Sequence, residues 1–351
     1  MPAKGGHINW FSELYGFEEA QNSYAKNRAH FRMDGDVLVC ETSKWQRQHV
    51  GPFEAPSVAE LQQRCRDLGG GATAGASGGL RFKHLTDPIG VASLISNPAN
   101  AGAVFQAASQ FNALEMTGPS VTPKQGIAIY ATDPTQGPKC ALACPAGTVY
   151  RNYLCNDGKG QGETQLDCLA DVGRLVGNID AQGGPVYWTM QNGYALPVTT
   201  QAMATLGAKL ASDVQLAQAA AGAVRVGVMW DTQAKPPLTH RVTQVFASAL
   251  PVAYAKDTKS ADWEAFARLV LRAAYEATLG VARIRATKTE GGRARVYLTA
   301  LGAGAFGNRQ AWVADAMASA LDVFREAPLD VFLVHYGTQV KSEWTSRVKE
   351  R

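Results

Sequence analysis

The glycine-rich segment GAGAFGN, residues 302–308, is the part of the sequence with the clearest capacity to bind a ligand. It follows the apolar run VYL and precedes a helix-forming stretch that begins RQAWVADAM. Glycines between a strand and a helix leave backbone N–H groups near the positive end of the helix dipole. This pattern is typical of an anion site, most often for phosphate. The alternative is that the glycines only allow close packing of the helix on the strand.

The spacing G-x-G-x-x-G alone does not identify the kind of anion site. In dinucleotide-binding domains it follows the first strand, and an acidic residue comes about 20 positions later. Here the motif lies near the C-terminus, and one further strand is predicted after it. The lysine of a Walker motif is also missing. A standard dinucleotide dehydrogenase is therefore not expected.

The elements that position this segment alternate between strands and helices. Runs dense in β-branched residues predict buried strands at 224–230, 241–254, 296–299 and 330–337. Residues 101–116 favour a strand, with a helix as the alternative, and residues 260–280 predict the clearest helix, ended by Gly280. Such alternation predicts a three-layer α/β/α sandwich with a mixed central sheet, in which ligands bind at the carboxyl ends of strands.

The first ninety residues have a less regular pattern. A strand is predicted at 36–42 and a helix at 57–69, followed by the glycine and alanine tract of residues 69–79. Because each glycine costs a helix about 1 kcal/mol relative to alanine, this tract is predicted to be a loop. Residues 1–100 are interpreted as an N-terminal extension packed on the core, and residues 101–351 as the ligand-binding domain.

Composition excludes several classes of protein. The chain has 351 residues, is 46% hydrophobic and 18% charged, and carries a formal net charge of +4, as expected of a soluble globular protein. Lysines and arginines are scattered, so nucleic acid is not expected as the main partner. No window approaches the ~18 apolar residues of a membrane helix, and the N-terminus has no apolar signal region.

The six cysteines favour a reducing, cytoplasmic environment. They are too sparse for a disulfide scaffold in a chain of this length. Cys140 and Cys144 form a C-x3-C pair, but a metal site favours tighter spacing and a nearby histidine, which this region lacks. We therefore expect buried thiols, no metal site and no cofactor.

The order of five motifs supplies further information. VFQAAS (104–109), DPTQGPKCALA (133–143), QNGYALP (191–197), VTQVFASALPVAY (242–254) and GAGAFGN occur in succession. This succession resembles the macrodomain superfamily, which binds ADP-ribose. Macrodomains have an Asn-Ala-Ala-Asn segment, a glycine loop opening a helix, a Gly-Tyr-x-Leu-Pro turn, a strand with Ile-Ile-His and a Gly-x-Gly-x-Phe-Gly loop.

The resemblance covers residues 101–340 and has two departures. Gln106 and Ser109 stand where asparagines are usual, and the fourth strand lacks its histidine. With these departures the chain looks similar to a divergent branch that includes bacterial effectors removing ADP-ribose from modified ubiquitin. The resemblance implies ADP-ribose or an ADP-ribosylated protein, ubiquitin among them, as partner. It implies ligand contacts from Gln106, Ser109, Asn112, Gln136, Gly137, Arg151, Asn152, Tyr194, Gly302, Gly304, Ala305, Phe306, Gly307 and Asn308.

Arg151 and Asn152 have alternative interpretations. Arg151 suits a phosphate, and Asn152 suits either a ribose hydroxyl or the end of the helix that precedes it. The flanking tyrosines of the YRNY motif also suit a core position with a polar tip.

The chemistry implied by the resemblance is cleavage of a glycosidic bond of ADP-ribose. Such hydrolysis passes through an oxocarbenium-like state and uses a carboxyl group and a proton donor for the leaving group. The candidates are Glu115, Asp133 and Asp231. The structural alternatives are a solvated charge for Glu115, a turn or helix cap for Asp133 and a strand-exit turn for Asp231.

The sequence therefore predicts an ADP-ribosyl hydrolase that releases ADP-ribose from a modified protein without a metal. One alternative is a module that binds ADP-ribose without cleaving it. Another is a structural or partner-binding α/β domain in which the glycines serve packing alone.

Overall fold

A computed structural model describes residues 10–68 and 78–351 of the chain. The predicted glycine tract lies outside these residues, except for its last two glycines. Twelve strands and twelve α-helices occur in the described part, together with several short 3-10 turns and one π-helical turn at Tyr150–Leu154.

The strands are, in chain order, β1 (Arg32–Asp34), β2 (Val37–Val39), β3 (Arg47–His49), β4 (Phe53–Glu54), β5 (Arg81–Asp87), β6 (Val104–Ala108), β7 (Trp188–Gln191), β8 (Tyr194–Pro197), β9 (Gly227–Gln233), β10 (Arg241–Ala247), β11 (Ala294–Leu298) and β12 (Leu329–Tyr336).

The helices are α1 (Trp10–Tyr15), α2 (Tyr24–Arg28), α3 (Val58–Asp67), α4 (Val91–Ser96), α5 (Gln136–Ala143), α6 (Pro145–Val149), α7 (Ala170–Val176), α8 (Ala202–Ser212), α9 (Val214–Ala223), α10 (Glu264–Ala286), α11 (Gln310–Val323) and α12 (Ser342–Arg347). None of the helices in the described ranges is long and apolar enough to cross a membrane.

The central sheet has seven strands in the order β4-β9-β10-β6-β11-β12-β5. The five strands from β10 to β5 are mutually parallel, whereas β9 runs antiparallel to β10, and β4 antiparallel to β9. The sheet is therefore mixed, as predicted. The hairpin of β7 and β8 forms a separate two-stranded sheet around Asn192-Gly193.

Both faces of the sheet are covered, which confirms the three-layer α/β sandwich. Successive side chains of a strand point to opposite faces. Val104 accordingly packs into one apolar core with α3, α10 and α11, and Phe105 into the other with α1, α4 and α5. Val245 and Phe246 of β10 divide in the same way.

The N-terminal segment takes a larger part in the sheet than its pattern indicates. Its strands β4 and β5 form the two edges of the central sheet. Helix α3 begins at a capping box, in which the Ser57 hydroxyl accepts from the Glu60 amide and the Glu60 carboxylate accepts from the Ser57 amide. The segment predicted as an N-terminal extension therefore supplies two strands to the same sheet as the predicted ligand-binding domain.

Helix α10 does not end at Gly280 as predicted but continues to Ala286. A Cβ on Gly280 would lie 3.4 Å from the Leu61 Cβ of α3. This glycine therefore permits close packing of two helices, and it is not a helix stop.

Candidate functional site

A cleft of ≈220 Å³ opens at the carboxyl ends of β6, β10 and β11. Because these three strands are parallel neighbours, the loops that follow their carboxyl ends converge at the same end of the sheet. The predicted residues that line the cleft are Ser109, Glu115, Asp133, Gln136, Tyr194, Gly302, Gly304, Ala305 and Phe306.

The glycine-rich loop forms one wall with its backbone. Gly302 and Gly307 both have φ of +72°, and a Cβ at Gly302 would lie 2.4 Å from the Ala249 Cβ. These two glycines let the loop fold tightly beside the end of β10. Across the described residues, no acceptor is bonded to the backbone N–H groups of Gly304, Ala305 and Phe306. Three consecutive free amides at a cleft wall suit an anionic ligand.

Asn308 and Gly307 hold the loop from behind and do not line the cleft. The Asn308 side chain is buried and donates to the Leu250 and Gly302 carbonyls at 2.8 and 3.3 Å. The Gly307 amide donates to the Gly304 carbonyl at 2.9 Å. Neither residue occupies the ligand-contact position predicted for it, since both are engaged within the loop.

Helix α5 starts against the end of β6. The Gln136 side chain accepts from the Ala108 amide and donates to the Gln106 carbonyl, both at 2.7 Å, so it takes the place of a neighbouring strand. A Cβ on Gly137 would lie 1.7 Å from the Ala108 carbonyl oxygen. Gly137 is thus a packing position and not the predicted ligand contact, whereas Gln136 lines the cleft.

We expect Gly137→Ala to lower the free energy of unfolding by about 3 kcal/mol, because the added methyl group must displace the end of β6. Urea unfolding monitored by circular dichroism measures the change. Gly304→Ala is the matched control, since a Cβ at Gly304 meets no atom within 4 Å. Equal stabilities of the two variants would show that α5 is not packed directly against the end of β6.

Glu115 lies at the base of the cleft and is 1% exposed. Its amide donates to the Tyr130 hydroxyl oxygen at 3.0 Å, which fixes the loop after β6. Burial raises the pKa of this carboxyl to about 7, against the opposing effects of Arg151 and Ser109. A buried carboxyl that takes up or releases a proton near neutral pH suits acid–base chemistry. It is not the solvated charge of the alternative interpretation.

Arg151 faces Glu115 and not the cleft, which corrects its prediction as a phosphate ligand. It is 0% exposed, and its Nη1 donates to both Glu115 carboxyl oxygens at 3.0 Å and to the Ala113 carbonyl. The guanidinium also lies 3.7 Å from the Phe246 ring centroid. Arg151 therefore holds the Glu115 side chain in place.

Three further predicted ligand contacts are engaged inside the protein. Gln106 donates to the Thr278 hydroxyl at 3.0 Å and accepts from the Thr299 amide at 3.2 Å. Asn112 donates to Gln165, and Asn152 to the Pro123 carbonyl. All three predicted residues are 0% exposed and do not line the cleft, so they maintain the loops around it.

Another part of the cleft lining combines an acid with aromatic rings. The Asp133 carboxyl accepts from the Thr135 amide at 2.8 Å just before α5, so it serves as a turn residue and also lines the cleft. Tyr194, Tyr254 and Phe306 pack together with ring centroids 5.2–5.6 Å apart. The Ser109 hydroxyl donates to the Leu114 carbonyl at 3.0 Å and supports the loop that carries Glu115.

Asp231 lies near the amino end of β10, at the opposite end of the strands from the cleft, which corrects its selection as a catalytic candidate. Strand β9 pairs antiparallel with β10, and its residue Gly227, not Asp231, is aligned with Phe246 near the carboxyl end of β10. The Asp231 carboxylate is paired with Arg285 at 2.8 Å. The prediction placed Asp231 at the carboxyl end of a strand, but this strand runs in the reverse direction.

Sequence reasoning missed several residues that line the cleft: Gln110, Met116, Thr117, Thr135, Tyr254, Thr299, Ala300 and Leu301. Tyr254 follows β10, and Thr299 follows β11 directly. Both were detectable, because residues just beyond the carboxyl ends of parallel strands converge on the ligand site.

No cluster of three or more His, Cys, Asp or Glu side chains suited to a metal ion occurs among residues 10–68 and 78–351. All six cysteines are free thiols, and five of them are buried. Burial raises the pKa of the Cys155 and Cys168 thiols to about 12.

No protein-family model matches the chain, and no curated protein matches its sequence. Solved structures with a similar arrangement include poly(ADP-ribose) glycohydrolase from Deinococcus radiodurans in complex with ADP-ribose. One crystal form has a TM-score of 0.46 at 9% identity, covering 85% of this chain and 94% of that chain. A second has a TM-score of 0.43 at 10% identity, with the same coverage. Nothing about activity follows from a similarity of this size.

Proposed function

We propose that the cleft binds ADP-ribose and hydrolyses the glycosidic bond that joins it to a modified protein. The observation that carries the proposal is the pairing of two features in one cleft. The amides of Gly304, Ala305 and Phe306 have no acceptor among the described residues, and the buried carboxyl of Glu115 lies in the lining of the same cleft. The first feature suits a diphosphate, and the second suits proton transfer.

The amides position the reacting ribose by holding the diphosphate next to it. A ligand fixed at its phosphates brings the anomeric carbon to a defined place, which lowers the entropic part of the barrier. The aromatic wall of Tyr194, Tyr254 and Phe306 limits the positions that the ribose can take. The loop therefore binds, and the chemical step falls to the carboxyl groups.

Glu115 is proposed as the general acid. Its raised pKa keeps a proton available near neutral pH, and this proton passes to the leaving-group atom as the glycosidic bond breaks. Water then adds to the anomeric carbon, and its proton restores Glu115. Asp133, which lines the same cleft, is proposed to stabilise the positive charge on the ribose or to orient the water.

The modified protein is the least constrained part of the proposal. ADP-ribosylated ubiquitin follows from the sequence resemblance and is proposed on that ground alone. Arginine-, glutamate- and serine-linked ADP-ribose on other proteins are the alternative substrates. A panel containing all four substrates, scored by the ADP-ribose released, identifies the linkage.

Binding and cleavage are tested in two steps. Calorimetric titration with ADP-ribose, AMP and NAD measures binding, and silence with all three ligands contradicts the proposal. Incubation with the substrate panel measures cleavage. Binding of ADP-ribose without release from any substrate supports a module that binds without cleaving.

We expect Asp231→Ala to leave both ADP-ribose affinity and turnover within about twofold of the wild-type values, because residues far from a site rarely couple to it. The matched variant is Asp133→Ala, which removes the same group from the cleft and is expected to lower turnover. A large loss of turnover in Asp231→Ala would contradict the assignment of the site to the carboxyl ends of β6, β10 and β11.

A further inference from the structure

A second cavity, of ≈660 Å³, adjoins the candidate cleft at the carboxyl ends of β11 and β12. The two cavities have five lining residues in common: Thr135, Gln136, Thr299, Ala300 and Gly304. They therefore form one continuous groove along the carboxyl ends of the parallel strands. The smaller cavity lies below the roughly 300–1,000 Å³ of sites that enclose drug-sized ligands, so a ligand of that size in the cleft extends into the second cavity.

The lining of the second cavity carries positive charge without a counterion. Lys139 comes from α5, and Lys341 comes from the segment just before α12. No aspartate or glutamate lines this cavity, and neither lysine forms an ion pair with a described residue. The Lys139 ammonium lies 4.8 Å from the ring centroid of Tyr336, a residue 74% exposed at the end of β12.

The His335 side chain, which also lines the cavity, is neutral near pH 7. Burial, followed by the nearby His84, lowers the pKa of His335 to about 4. Its Nε2 is hydrogen-bonded to His84 Nδ1 at 2.9 Å. The positive charge of the cavity near pH 7 therefore comes from the two lysines.

On the basis of the proposed function, we infer that the second cavity binds a phosphate monoester carried on the adenosine ribose of the ligand. Adenosine itself is uncharged and offers nothing to two ammonium groups. A phosphate on the ribose supplies the missing anion, and Lys139 and Lys341 supply charge-assisted donors. The preferred ligand class is then 2′-phosphorylated ADP-ribose, with unmodified ADP-ribose bound more weakly.

The experiment compares ADP-ribose with ADP-ribose 2′-phosphate by calorimetry on the full chain. We expect the phosphorylated ligand to bind about 10-fold more tightly at low ionic strength, as one charge-assisted hydrogen bond provides. Lys139→Gln and Lys341→Gln should each reduce this ratio, and the double variant should bring it close to one. Lys288→Gln is the matched control, because it removes one positive charge far from the cavity. Lys288 follows the end of α10, close to Arg285, and Arg285 donates to Asp231 at the opposite end of the strands.

Each outcome decides a different question. Equal affinities of the wild type for both ligands, or weaker binding of the phosphorylated one, overturn the inference and leave the proposed function standing. An equal effect of Lys288→Gln and Lys341→Gln also overturns it, because the preference would then reflect net charge alone. If neither ligand binds, the proposed function fails together with the inference. Lys341 is exposed, so its replacement tests the inference even where Lys139→Gln fails to fold.

Discussion

Glu115→Gln is expected to lower the rate of ADP-ribose release by about 10³-fold, the usual range for loss of a general acid being 10²–10⁴. Glutamine keeps the shape of the side chain and can still accept from Arg151, but it supplies no proton to the leaving group. The affinity for ADP-ribose should change by less than about threefold, because the diphosphate is proposed to bind the backbone amides of the glycine-rich loop and not Glu115. Single-turnover assays and calorimetry on the same preparation measure the two quantities.

The matched control for this variant is Glu19→Gln. Glu19 is a partly buried carboxyl whose pKa is also raised by burial, and it accepts from the Tyr153 hydroxyl at 2.5 Å, but it does not line the cleft. A similar loss of turnover in both variants would indicate general damage to the fold. Turnover unchanged in Glu115→Gln would remove Glu115 from the mechanism and leave Asp133 as the remaining acidic candidate.

The pH dependence of the rate follows from the same carboxyl. Because the pKa of Glu115 is raised to about 7, its protonated form declines as the pH passes upward through 7. A general acid must be protonated, so kcat/KM should fall about tenfold per pH unit above that point. In Glu115→Gln this limb should disappear from the residual activity. A rate that rises through pH 7 would instead assign Glu115 as a general base.

The layered architecture could be predicted from the sequence because strand and helix patterns depend on local residue types. The runs that became β6, β9, β10, β11 and β12 were all predicted as strands. Strand β5 was missed because its sequence, RFKHLTD, mixes charged and apolar residues, as edge strands often do. The glycine loop was located correctly in sequence, since the transition from a strand into glycines and then a helix is itself a local signal.

The residues that could not be predicted depend on strand direction and on the depth of side chains. Asp231 was misplaced because a run of β-branched residues does not reveal whether its strand is parallel to its neighbour. Arg151 and Asn152 were selected by residue type, but a polar side chain at a helix end faces either a cleft or the core. Arg151 faces the core because Glu115, 36 positions away in sequence, accepts hydrogen bonds from its guanidinium there. That pairing is a tertiary property.

Gly304→Glu is expected to raise the dissociation constant for ADP-ribose by at least about 100-fold, equivalent to roughly 2.7 kcal/mol. The residue lines both cavities of the groove, and a Cβ added there would meet no atom within 4 Å. The new side chain can therefore extend into the groove without disturbing the fold. It would place a negative charge beside the free amides of Ala305 and Phe306, where the diphosphate is proposed to bind.

A comparison of three variants at residue 304 distinguishes the effect of a negative charge on binding from the effects of side-chain volume and of damage to the fold. Gly304→Gln adds nearly the same volume without the charge, and we expect it to weaken binding less than Gly304→Glu does. Gly304→Ala should bind almost normally, because its methyl group points into open space. All three should unfold at urea concentrations close to that of the wild type. If Gly304→Glu folds and still binds ADP-ribose with wild-type affinity, the anion does not lie against this loop, and the free amides of residues 304–306 have another purpose.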